Sequence, residues 1–160
     1  LQSLADLVFE RDKDLGGRKT LPFAYSVFGT IYFWHAEYGV GDVNLVTGQV
    51  TCEGLVSQND DKSNLANTVY VPFMLERESH DIFDDLDKPL FKPALKLLGS
   101  VDFLECYGFV PALAFGGEAV LQNLKRLSAP EHFAILAQAT EFTLMKSDDS
   151  GLLSSVRKVG

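Results

Sequence analysis

Cysteine, histidine and positive charge are all scarce in this 160-residue chain, and each shortage removes a class of function. Cys52 and Cys106 are the only cysteines. Two thiols so far apart in sequence make no disulfide framework, and in an ordinary core they are expected to be free and buried. The three histidines, His35, His80 and His132, show no zinc-motif spacing such as two histidines four apart on a helix. No run reaches the ~18 apolar residues of a membrane span, and Leu1 to Asp6 lack the basic start of a signal peptide. The chain therefore reads as soluble and cytoplasmic. It does not begin with methionine, and it is expected to be a fragment.

Catalytic patterns are missing as well. Cys106, between Glu105 and Tyr107, has no nucleophile signature around it, and Ser100 follows Gly99 without the second glycine of a nucleophile elbow. Gly116-Gly117 lacks the lysine and the serine or threonine of a phosphate loop. Asp60-Asp61 and Asp84-Asp85 are adjacent pairs in polar surroundings, whereas acid–base chemistry needs two carboxylates in different environments. These absences predict a protein without metal, cofactor or enzymatic activity.

What is present is a substantial hydrophobic fraction, 46%, enough for one self-sufficient core. The segment from Phe23 to Trp34 is dense in aromatic and β-branched residues and predicts two strands around Gly29. Gly39-Val40-Gly41-Asp42 reads as a turn, and Val43–Val46 with Gln49–Cys52 as a hairpin around Thr47-Gly48. Ser57–Asn64 has loop composition, and Thr68–Val71 reads as a strand ending at Pro72. From Ser79, a candidate N-cap, the period changes: Ile82, Phe83 and Leu86 fall at helical spacing. Further helices are predicted from Ala94 to Leu98, stopped by Gly99, from Val120 to Leu127, and from Ser128 through Pro130 to about Leu144.

The expected fold is α+β, an N-terminal curled antiparallel sheet packed against a C-terminal helical bundle. The expected division is a β-rich region over 1–78, a helical region over 79–146 and a tail over 147–160, together one compact unit. The tail is expected to be ordered only where something pins it.

Charge is distributed unevenly. There are 22 acidic and 14 basic residues, a net charge of -8. Between Glu53 and Lys92 stand nine acids and four bases, so this segment carries -5 of the total. Such a surface repels phosphate backbones and attracts a basic protein partner, so no direct nucleic-acid binding is expected. Asp60, Asp61, Glu76, Glu78, Asp81, Asp84, Asp85 and Asp87 are the candidate partner-binding residues, against the plainer reading of a solvated face.

The last informative stretch, Glu105 to Gly117, is apolar and glycine-punctuated without a reactive group. Tyr107, Gly108, Phe109, Pro111, Gly116 and Gly117, with His132 downstream, are expected to define the fold there, the glycines permitting tight backbone and the aromatics filling the core. Tyr107 to Gln138, with Pro93–Gly99 as lead-in, resembles the C-terminal domain of type VI secretion immunity proteins that neutralise DNase effectors. Val27–Trp34 is similar to the sheet segment of the GAD-like region of the same proteins, whose N-terminal part is expected to be missing here. The resemblance implies a cytoplasmic antidote that binds a cognate DNase effector and occludes its active or DNA-binding surface, with no chemistry of its own and no membrane partner. The rival reading is an interaction or regulatory module of the same fold without a toxin partner.

Overall fold

The computed structural model describes residues 1–17, 19–57, 69–75, 80–148 and 150–160, with the side chain of Val71 excepted. Helix α1 (Gln2–Phe9) is followed by strands β1 (Thr20–Tyr25), β2 (Thr30–His35), β3 (Gly39–Asn44) and β4 (Gln49–Thr51). Short helices α2 (Glu53–Val56) and α3 (Val71–Met74) and the longer α4 (Phe91–Leu98) lead to β5 (Glu105–Phe109). Strand β6 (Leu124–Ser128), helix α5 (Ala129–Ala139), and strands β7 (Phe142–Ser147) and β8 (Leu153–Val159) complete the chain.

Six strands form one sheet in the order β1-β2-β3-β4-β7-β8, and β5-β6 form a separate antiparallel pair. All neighbours in the large sheet are antiparallel except β4 and β7, which run parallel with Val50 opposite Leu144. The chain between them is the long crossover that a parallel pair requires.

This architecture overturns the expected sheet-then-bundle arrangement. The main sheet draws four strands from before residue 79 and two from beyond residue 140, and the region expected to be helical supplies β5, β6 and β7. Val120–Leu127 has helical spacing, but eight residues make a marginal helix. Instead a 3-10 turn at Leu121–Asn123 opens into β6, which pairs Leu124 with Phe109 and Arg126 with Tyr107. The last helix stops at Ala139 rather than near Leu144. The Thr140 hydroxyl donates to the Leu45 carbonyl at 3.0 Å and the Thr143 amide to the Gly48 carbonyl at 2.8 Å, so the main sheet captures the chain as it leaves the helix. From Phe142 the period is two, with Phe142 and Leu144 buried.

Three smaller expectations also change. Gly39–Asp42 lies in β3 rather than in a turn, because Gly41 lets the ring of Phe33 and the β4 backbone close in. A Cβ there would meet Phe33 Cζ and the Thr51 carbonyl at 2.5 Å each. Val71 and Pro72 open α3 rather than ending a strand. The region from Asp81 to Leu90 is a carboxylate-bound loop, not a helix; the proposed cap Ser79, residue Thr68 and most of the Ser57–Asn64 loop lie outside the described residues. The 153–159 part of the tail is β8, pinned at Arg157, whose guanidinium reaches Asp12 and, at 2.8 Å, Asp14.

Two cores result. The larger lies between the main sheet and α1 with α5, and includes Phe9, Phe33, Phe133 and Leu136; Phe9 meets Phe33 edge-on with centroids 5.2 Å apart. The smaller joins Phe28, Ile82, Leu90, Ala94, Tyr107, Phe109 and Leu124, and it supports the acidic loop.

Candidate partner-binding surface

The Asp81–Leu90 loop is built by its own aspartates. Asp81 Oδ1 accepts hydrogen bonds from the amides of Ile82 at 2.8 Å, Leu90 at 3.2 Å and Phe91 at 2.8 Å, closing both ends of the loop on one carboxylate. Asp84 Oδ1 accepts from Leu86 and Lys88, both at 2.9 Å, while the Asp84 amide donates to the Lys88 carbonyl at 2.9 Å. Asp87 takes a left-handed conformation at φ 57°, which aspartate tolerates better than most residues. The Asp85 amide donates to the Ala119 carbonyl at 3.2 Å, tying the loop to the segment after Gly117.

The candidate acids therefore separate into two kinds. Asp81 and Asp84 spend their carboxylates on the loop backbone, whereas those of Asp85 and Asp87 make no hydrogen bond or ion pair among the described residues. Between the free pair stands Leu86, 72% exposed, and Phe83 is half exposed nearby in sequence. Sequence spacing grouped these acids but did not distinguish anchors from free charges. Asp60, Asp61, Glu76 and Glu78 lie outside the described residues.

The glycine-punctuated motif lies next to this loop through the Asp85–Ala119 hydrogen bond and the shared smaller core. Tyr107 is buried, its hydroxyl donating to the Gly99 carbonyl at 2.5 Å and its ring facing Phe28 at 5.7 Å. Phe109 is buried beside it. Gly108 lies under His132: a Cβ there would meet Nε2 at 2.4 Å. Burial pushes the His132 pKa below the ordinary imidazole value. After a cis Val110–Pro111 bond the chain turns through Leu113–Phe115 to Gly116, which has φ 80°. At Gly117 a Cβ would lie 2.0 Å from the Pro111 carbonyl oxygen. Pro111 itself is exposed, so its place is in the turn rather than the core.

One polar constellation escaped the sequence reading. Tyr32, Asp42, Thr51 and Met145 face one another across four adjacent strands on the side of the main sheet away from α1 and α5. The Thr51 hydroxyl donates to the Asp42 carboxylate, and Tyr32 Oη lies 2.6 Å from His80 Nδ1. Burial raises the Asp42 pKa to about 6, against the lowering effects of Thr51 and His80, and burial with the Asp42 charge raises Tyr32 to about 12. Reading Gly39–Asp42 as a turn concealed the row; alternation along β3 was the signal that could have shown it.

No cluster of three or more histidine, cysteine, aspartate or glutamate side chains among the described residues has the arrangement of a metal site. The two thiols are free and buried, and burial pushes both pKa values up to about 12, far from the thiolate that a nucleophile needs. No helix among the described residues is long and apolar enough to cross a membrane.

The loop thus presents an exposed leucine between two carboxylates that have no partner among the described residues, on a frame of its own backbone contacts. The family model described as "T6SS immunity protein Tdi1, C-terminal" matches residues 60–140, and the chain belongs to that family of type VI secretion immunity proteins. The crystal structure of Atu4351 from Agrobacterium tumefaciens is similar, with a TM-score of 0.91 and 27% identity over 99% of this chain and 72% of that one. No curated protein matches the chain.

Proposed function

We propose that this chain is the antidote to a type VI secretion DNase effector, acting in the cytoplasm by binding the nuclease and covering its active or DNA-binding surface, without catalysis of its own. The observation that carries the mode of action is the loop tip Asp85-Leu86-Asp87, where an exposed leucine stands between two carboxylates held by no neighbour among the described residues. A nuclease that grips DNA has a basic surface, and the acidic segment complements it. The free carboxylates raise the association rate, and Leu86, desolvated on docking, slows dissociation.

Residues of the glycine motif have a supporting part in this reading. Tyr107, Gly108, Phe109 and His132 hold the smaller core against α5, and the Pro111–Gly117 turn carries the segment that ties down Asp85. Plasmid cleavage by a candidate nuclease effector from the gene's neighbourhood, measured with and without one equivalent of the chain, tests the function. Inhibition with co-elution is expected; full cleavage with no co-elution overturns it. Association should slow as salt rises, and a salt-independent rate would remove steering by Asp85 and Asp87 from the mechanism.

A further inference from the structure

We propose that the cavity over the Tyr32-Asp42-Thr51-Met145 row is a socket for one basic side chain, an arginine or lysine, of a protein partner. The cavity measures about 270 Å³, and its rim includes Pro72, Leu75 and Leu153. That is below the ~300–1,000 Å³ typical of small-molecule pockets, so the space suits a single long side chain. Its walls are largely apolar, as the methylene stem of an arginine or lysine requires.

Charge selects the occupant. Asp42 and Glu53 both line the cavity, and no basic residue lines it among the described residues. One Asp42 oxygen takes the Thr51 hydroxyl; the other accepts no hydrogen bond among the described residues. A half-buried carboxylate in apolar surroundings is costly until a cation meets it, and Asp42's raised pKa reports that cost. Thr51 fixes the direction of the carboxylate, and the Tyr32–His80 contact at 2.6 Å braces the adjoining wall. An anion would be repelled, and a neutral side chain would leave the carboxylate's charge uncompensated.

Identifying the effector as the source of that side chain rests on the antidote reading; the cation specificity of the socket does not. The test accordingly needs no effector. The full chain, labelled with 15N, is titrated with Nα-acetyl-L-arginine amide and separately with Nα-acetyl-norleucine amide, and amide shifts are followed at Gly41, Thr51 and Met145. Saturable shifts with the arginine probe alone are expected, weakened at least tenfold in Asp42→Asn, which keeps the shape and the acceptor for Thr51. Shifts absent in the natural chain, equal for the two probes, or unchanged in Asp42→Asn overturn the socket. None of these results alters the plasmid-cleavage test, so the two readings can fail separately.

Discussion

Asp81→Ala separates the aspartates that build the acidic loop from those left free for a partner. The substitution removes a carboxylate that accepts three amides at 2.8, 3.2 and 2.8 Å, from both ends of a loop whose side chains Ile82 and Leu90 are core. Hydrogen bonds to charged groups contribute about 1.5–3 kcal/mol each, and water replaces part of that at a half-buried site, leaving a loss of about 3 kcal/mol for the staple. For a domain of this size, at roughly 2–4 °C per kcal/mol, Tm should fall by about 6–12 °C. Asp84→Ala loses two amide contacts in an exposed setting and should cost about 1 kcal/mol. Asp85→Ala and Asp87→Asn, the latter chosen because asparagine tolerates φ 57°, should stay within about 0.5 kcal/mol of the parent. Calorimetric melting of the four variants gives the comparison, and under the proposed antidote reading stopped-flow association with the effector should slow in Asp85→Ala and Asp87→Asn, which leave the loop's backbone contacts in place. If Asp85→Ala lowers Tm as far as Asp81→Ala does, the division between anchors and free charges is wrong.

Gly41→Ala should destabilise the main sheet by about 1–3 kcal/mol, because its Cβ would strike Phe33 Cζ and the Thr51 carbonyl at 2.5 Å; urea unfolding reads this out, and an unchanged midpoint refutes it. Burial alone would raise the Asp12 pKa, but hydrogen bonds from Arg157 and the Leu15 and Asp14 amides outweigh it and hold the group at about 2. That contribution is present above about pH 4 and is lost as pH falls through about 2, so the stability gap between the parent and Arg157→Gln should close over that range in acid titrations followed by circular dichroism. Asp42 has the opposite sign: raised to about 6, it makes the native state bind more protons than the unfolded chain between about pH 4 and 6, so its contribution falls as pH rises. Asp42→Asn should therefore be more stable than the parent at pH 7, by up to about 3 kcal/mol, and level with it below about pH 4 in paired melts.

Local signals read correctly where they were strong. Phe23–Trp34 yielded two strands turning at Gly29, and Gly99 stopped α4. Ambiguity entered where one pattern serves two structures. Leu121, Leu124 and Leu127 satisfy a helical period, yet Leu124 belongs to the smaller core through a strand paired with β5. The glycines of β3 suggested a turn because the need for them, the Phe33 ring packed across the sheet, is a contact between strands and invisible along one. In the candidate surface, composition located the acids but could not tell Asp81 from Asp85, since that distinction lies in which backbone amides each carboxylate reaches.

The span of the family match bears on what must be intact for binding. Residues 60–140 include the acidic loop, the glycine motif and α5, but not the sheet on which α5 rests. Phe133 and Leu136 of α5 are buried in the same core as Ile31, Val43 and Val50 from before the match and Phe142 and Val159 from beyond it. Cut from those strands, α5 would expose its apolar face, and the contacts of His132 with Gly108 would lose the scaffold that sets them. The Arg157 ion pairs and the parallel β4–β7 join bring the end of the chain back to its beginning. The acidic loop is thus local in sequence and rests on the smaller core, while the helix that backs the glycine motif is held by strands drawn from both ends of the chain.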